Sequence, residues 1–167
     1  MLDTDPHFQI AAIALKAIKR THGLDTQAIL AQVKQVLDAE PESYTIPVTI
    51  FQPGLSVLEA VCKYLSDAYN LQSRKIGQLI DRDTAVVSAS IGKANRKLQQ
   101  PFKKQDHAIA IPTSAFSASM GPLESLTLYL KTHYHISLSE IGRLLHRDPR
   151  NIWQSVNNAK KKSGGMQ

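Results

Sequence analysis

Apolar residues recur at intervals of three and four along most of the chain, which is the period of an amphipathic α-helix. The series Leu123, Leu126, Leu130 and Tyr134 follows Pro122, a residue suited to the first position of a helix. This pattern predicts a helix that begins near Pro122 and turns one apolar face towards a core.

Two further helices are predicted after this one. Ser137 and Glu140 have the spacing of a capping box, in which the two side chains accept hydrogen bonds from backbone N–H groups at a helix start. After about Leu145 the chain turns, and Asp148 and Pro149 are suited to cap and begin a third helix. The inner face of that helix is predicted to contain Ile152, Val156 and Ala159.

The same pattern occurs earlier in the chain. A shift of 65 residues aligns residues 46–97, the first repeat, with residues 111–162, the second repeat, without a gap, and 16 of the 52 pairs are identical. That agreement is far above chance and indicates two copies of one supersecondary unit. The identical pairs include Ile76-Gly77 with Ile141-Gly142 and Arg82-Asp83 with Arg147-Asp148.

The segments outside the repeats have patterns of their own. Two apolar stripes, in residues 8–18 and 29–37, are separated by a break at Gly23 and Asp25, which predicts a helical hairpin. Such a hairpin packs either on the first repeat or on a second subunit, which leaves a homodimer through residues 7–38 open. Before each repeat, an Ile-Pro-x-x-x-Phe segment is expected to form a short extended piece whose Ile and Phe pack on the following helices.

Two short helices joined by a tight turn and braced by a preceding helix have the layout of a helix-turn-helix. In the second repeat this layout covers residues 141–156, with the sequence IGRLLHRDPRNIWQSV. The stretch resembles the helix-turn-helix of region four of bacterial sigma factors and of response-regulator output domains, and the first repeat keeps the same skeleton from Ile76 to Ile91. The resemblance implies binding to double-stranded DNA in the regulation of transcription. Gly142 is expected to let the two helices cross closely, because a larger side chain would separate them.

The predicted fold is therefore all-α, with an N-terminal helical hairpin followed by two duplicated tri-helical helix-turn-helix units. The segments are a hairpin for packing or dimerisation (1–45), the first unit (46–97), a linker (98–110), the second unit (111–162) and a frayed tail (163–167).

The last helix of the second repeat turns polar side chains away from its apolar face. Arginine can donate two hydrogen bonds to guanine, and asparagine or glutamine can pair with adenine, so such a face is suited to direct readout in the major groove. The predicted DNA-binding residues of this repeat are Arg147, Arg150, Asn151, Gln154, Asn157, Asn158 and Lys161. Of these, Arg147 in the turn and Lys161 in the lysine run can neutralise phosphates without reading sequence.

The equivalent face of the first repeat contains Ala85, Ala89 and Gly92, which can form few hydrogen bonds. We therefore expect the second repeat to supply most direct readout and the first to add affinity through phosphate contacts. Its predicted DNA-binding residues are Arg82, Thr84, Lys93, Arg96 and Lys97.

Composition and charge agree with this interpretation and exclude others. Lys and Arg number 20 against 14 Asp and Glu, a net charge of +6 that favours polyanionic partners. The chain has no apolar run long enough to span a membrane and no signal peptide, so we expect a cytoplasmic protein without a membrane partner. It also lacks a glycine-rich phosphate loop, paired metal ligands and a nucleophile beside a base, so we expect no enzyme activity, cofactor or metal. Trp153 is expected to pack at the flank of its helix, and the alternative for this residue is a wedge that stacks on DNA bases.

Two other functions stay open at this stage. One is a sigma-like or RNA-polymerase-associated factor, which would add a contact with RNA polymerase. The other is an assembly or adaptor protein whose tri-helical units bind proteins, with the apolar last helix of the first repeat as the contact.

Overall fold

The computed structural model describes residues 6–23, 25–38 and 44–164. These residues form eight α-helices and two short strands, so the fold is all-α as predicted. The chain divides into two compact units, Met1–Glu42 and Ser43–Gln167. Within the ranges described, no helix combines the length and the apolar composition needed to cross a bilayer.

The first unit contains helices α1 (Pro6–His22) and α2 (Thr26–Asp38), which pack against each other. The chain turns between them at Gly23, whose φ of 62° is in the left-handed region that glycine adopts without strain. Ile29 of the predicted stripes is buried. Several other stripe side chains lie outside the described residues, namely those of Phe8, Ile10, Ala11, Ile18, Val33 and Leu37.

The second unit contains three helices from each repeat, and equivalent helices begin 65 residues apart. In the first repeat these are α3 (Val57–Tyr69), α4 (Ser73–Ile80) and α5 (Thr84–Lys97). In the second repeat they are α6 (Pro122–His133), α7 (Leu138–Leu144) and α8 (Pro149–Gly164). Ser163 and Gly164, predicted as part of a frayed tail, are helical, and residues 165–167 lie outside the described residues.

Short-range hydrogen bonds start these helices where the sequence predicts. Asp83 and Asp148 cap α5 and α8, accepting from the N–H groups of Ala85 at 2.7 Å and Arg150 at 2.8 Å. Ser137 and Glu140 form the predicted capping box of α7.

The buried side chains of both repeats form one continuous hydrophobic core. Ile76 and Ile141, which are equivalent in the alignment, are both fully buried in it. The predicted linker contributes as well, because the Phe102 N–H donates to Asp67 at 2.9 Å and the Phe102 ring meets Tyr64 edge-on. The two repeats are therefore parts of a single packed unit.

A small sheet joins the repeats, and the sequence did not predict it. Strand β1 (Thr45–Pro47) pairs with β2 (Ala110–Pro112) in antiparallel register, with Ile46 opposite Ile111. The extended conformation was expected, but each strand has three residues and ends in a proline that lacks an N–H group. So short a segment has no alternating pattern from which pairing could be predicted.

Gly77 and Gly142 both lie at close contacts, as expected for Gly142. The nearest atom to each is a carbonyl oxygen of the turn, whereas the sequence predicted close contact with the crossing helix. A Cβ atom on Gly77 would lie 2.5 Å from the carbonyl oxygen of Arg82, and one on Gly142 would lie 3.0 Å from that of Arg147. The backbone of the turn, more than the side chains of the crossing helix, therefore requires glycine at these positions.

Candidate nucleic-acid interface

The outward face of α8 is polar and accessible. Ile152, Val156 and Ala159 are buried, as predicted for the inner face. Opposite them, the structure places Arg150, Asn151, Gln154 and Lys161 in exposed positions and leaves Asn157 and Asn158 half-buried. The side chains suited to direct readout are thus on the solvent side of the helix.

The outward face of α5 is also exposed, but its chemistry differs. Ala85, Val86 and Ala89 offer no side-chain hydrogen-bonding group, and Val86 is 44% exposed. Thr84, Lys93 and Arg96, all predicted to contact DNA, are exposed on the same helix. This face can contact phosphates through Lys93 and Arg96 and offers thymine methyl groups an apolar surface.

The arginines of the two turns, Arg82 and Arg147, are engaged inside the protein. Arg82 donates to the main-chain oxygens of Ser117 at 2.8 Å and Met120 at 2.5 Å. Arg147 donates to the main-chain oxygen of Leu55 at 2.5 Å. Each arginine therefore connects the turn of one repeat to the segment before the first helix of the other repeat. The sequence predicted a phosphate contact for these arginines and not this structural role.

Lys97, predicted to contact DNA, is also paired internally. Its ammonium group lies 2.9 Å from the buried Glu59 carboxylate, and Lys162 makes the equivalent 2.6 Å contact with Glu124 in the second repeat. Both lysine side chains remain about half exposed, at 48% and 46%. Within each repeat, this ion pair connects the end of the last helix to the start of the first helix.

These ion pairs make the unit sensitive to acid. Burial raises the pKa of the Glu59 carboxyl, but hydrogen bonds from Lys97 and the Ser56 N–H, with the charge of Lys97, outweigh it and lower the pKa overall. A carboxyl whose pKa is lower in the folded state stabilises the fold above its unfolded pKa, and this stabilisation is lost as the pH falls through the folded pKa.

We therefore expect Glu59→Gln to reduce the loss of stability on acidification below about pH 4.5, because glutamine can keep the capping bond but has no charge to lose. The free energy of unfolding of the wild type and the variant, measured from neutral pH downwards, tests this. Glu140→Gln is a comparison variant, because the pKa of the Glu140 carboxyl is also lowered, mainly by hydrogen bonds from Ser137 in an exposed capping box. It should therefore show a smaller effect in the same direction. An unchanged pH dependence in Glu59→Gln would show that the Lys97 pair does not stabilise the fold.

A groove of about 800 Å³ runs beside α8. One wall contains Asn151, Gln154 and Asn158 of α8, and Lys97 and Arg147 also line it. The remaining lining comes from residues 54–58 and from Pro122, Leu123 and Ser155. The groove therefore brings three amide side chains together on one concave surface, while its two cationic side chains are those already engaged by Glu59 and by the Leu55 oxygen.

The groove divides the predicted DNA-binding residues of α8 into two groups. Asn151, Gln154 and Asn158 line it, whereas Arg150 and Lys161 are exposed on α8 outside its lining. The sequence places all of them on one broad helix face and carries no signal for this division, because the opposite wall comes from residues far away in the chain.

Trp153 is the clearest error in the predicted packing. It is 61% exposed on α8, although packing at the flank of the helix was expected. Trp153 lies at the edge of the polar face, on the side of Arg150 away from Gln154, and its exposed ring can contact a base, a sugar or a partner protein there.

The described ranges contain no group of three or more His, Cys, Asp or Glu side chains arranged to hold a metal ion. Comparisons of the chain with protein-family models, with curated proteins and with solved structures found no match.

Proposed function

We propose that this protein binds double-stranded DNA in a sequence-specific manner and regulates transcription through tandem helix-turn-helix units. In this proposal α8 enters the major groove, where Arg150, Asn151, Gln154 and the neighbouring amides contact base edges. The observation that carries it is the exposure of these side chains on a capped helix whose opposite face is fully buried.

The structure changes which residues are proposed to hold phosphates. Arg82, Arg147 and Lys97 are engaged in contacts that join the repeats or pair helices, so they are poor candidates for the main phosphate contacts. Exposed cations on the two last helices are better candidates, namely Lys93, Arg96, Lys160 and Lys161.

A protein-binding role is the second candidate, and the face of α5 favours it. Val86 is 44% exposed beside Ala85 and Ala89, so an apolar partner could cover this helix. The homodimer through residues 7–38 stays a prediction, which the exposed Ile13 and Leu30 of the first unit support. A contact with RNA polymerase also stays a prediction.

Salt dependence of duplex binding separates DNA binding from protein binding. If the four exposed cations each neutralise one phosphate, log K against log [salt] has a slope of about −3.6. Fluorescence anisotropy of the full chain with a labelled duplex, at increasing salt, measures it. Absence of duplex binding at low salt would exclude the proposed function.

A further inference from the structure

The strand pairing relates the two repeats in a specific way. Ile46 lies opposite Ile111, its equivalent at the offset of 65, while Thr45 lies opposite Pro112 and Pro47 opposite Ala110. Thr45 is equivalent to Ala110, and Pro47 to Pro112. If each residue is replaced by its equivalent in the other repeat, the pair Thr45–Pro112 becomes the pair Ala110–Pro47. This is the relation produced by a two-fold axis that passes through the Ile46–Ile111 pair.

Main-chain hydrogen bonds beside the strands follow the same exchange. The Val48 N–H donates to the Ile109 oxygen at 3.1 Å, and the Thr113 N–H donates to the Tyr44 oxygen at 3.0 Å. Val48 is equivalent to Thr113, and Tyr44 to Ile109. Donor and acceptor thus change places between the repeats.

The arginines of the turns extend this relation away from the strands. Arg82 donates to the Met120 oxygen and Arg147 to the Leu55 oxygen, and these donors and acceptors are again equivalent in pairs. In an isologous contact, which a two-fold axis forms, both copies use the same surface, so each residue of one copy meets the same partner that its equivalent meets in the other copy. A head-to-tail arrangement would instead use different surfaces on the two copies.

We infer that the DNA site of this protein consists of two half-sites in inverted order, one for each repeat, bound by a single chain. The inference rests on the proposed function. Proteins with two-fold symmetry bind sites with matching dyad symmetry, and here the symmetry lies within one chain. The two half-sites should differ in how strictly their base sequence is defined. The α8 helix presents Arg150, Asn151 and Gln154, which can form hydrogen bonds with bases. The equivalent residues of α5 are Ala85, Val86 and Ala89, whose side chains cannot.

Selection of duplexes from a random pool tests the inference. The full chain should select one well-defined half-site with a weakly defined partner. A second chain carries Ala85→Arg, Val86→Asn and Ala89→Gln, which copy the α8 residues onto the equivalent exposed positions of α5. This chain should select the same half-site twice, in inverted order.

Affinity measurements then compare three duplexes of equal length at one salt concentration, with the half-site inverted, directly repeated or single. The grafted chain should bind the inverted duplex about tenfold or more tightly than the others. A preference for the direct repeat, or equal affinity for the single half-site, would overturn the inference while leaving DNA binding intact. Failure of both chains to enrich any duplex would instead remove the proposed function and the inference with it.

A backbone footprint of the unmodified chain provides a second measurement that does not depend on folding of the grafted one. On the selected site, the protected phosphates of one strand should recur on the opposite strand about a dyad. Protection repeated along the same strand, or confined to one half, would contradict the inverted arrangement.

Discussion

Gly77→Ala is expected to lower the free energy of unfolding of the second unit by about 1–3 kcal/mol. The added Cβ would lie 2.5 Å from the Arg82 carbonyl oxygen, a distance that requires the backbone to move. That backbone is held on two sides, because the Arg82 N–H donates to the Gly77 oxygen and the Arg82 side chain donates to Met120. Relief of the clash therefore disturbs both the turn and the contact between the repeats.

Two other glycines serve as matched controls. At Gly142 the equivalent distance is 3.0 Å, so Gly142→Ala should cost less. At Gly92, inside α5, the nearest atom is 3.8 Å away on the flexible Arg96 side chain, and Gly92→Ala should raise stability by about 0.5–1 kcal/mol. Urea denaturation followed by circular dichroism measures all three. Equal stability of Gly77→Ala and Gly92→Ala would show that the turn has room for a side chain.

The helices could be predicted from the sequence because the interactions that start them are local. Asp83 and Asp148 cap helices through N–H groups two residues away, and Ser137 acts three residues along the chain. Helical periodicity then identifies the buried face, as at Ile152 and Val156. None of these features depends on where the rest of the chain lies.

The roles of Arg82, Arg147 and Lys97 could not be predicted in the same way, because the partners that join the repeats or pair the helices lie 35 to 92 residues away along the chain. The sequence did contain one signal. Arg82 and Arg147 are identical between the repeats, as are the members of the pairs Lys97–Glu59 and Lys162–Glu124, whereas the faces proposed to contact DNA differ. Identity between the two copies thus marks residues that hold the shared structure, and difference marks surfaces free to acquire separate functions.

The sheet and the groove depend on contacts between the repeats. Ile46 and Ile111 each look like an isolated apolar residue before a proline, and only the folded unit brings them together. The groove likewise needs residues 54–58 to lie beside α8. Periodicity within one helix identifies an outward face but not what lies across from it.

Arg150→Ala and Gln154→Ala are each expected to reduce discrimination between the selected site and an unrelated duplex by about 1–3 kcal/mol. Both side chains are exposed on α8, where Arg150 can pair with guanine and Gln154 with adenine. Because they lie on adjacent turns, the effects of the two substitutions should not add fully, and the double variant should show the largest loss. Affinities for both duplexes, measured at the same salt concentration, give the discrimination for each variant.

Alanine substitutions of other exposed residues distinguish the effect of a lost phosphate contact from the effect of a lost base contact. Lys161→Ala should weaken binding to both duplexes alike and make the salt slope less negative by about one, because a phosphate contact carries no sequence information. Lys103→Ala and Gln99→Ala make chemically similar changes outside the helices and should leave discrimination unchanged. If Arg150→Ala and Gln154→Ala instead weakened binding to both duplexes by the same factor, these side chains would act as general DNA contacts, and sequence-specific readout would have to come from another surface.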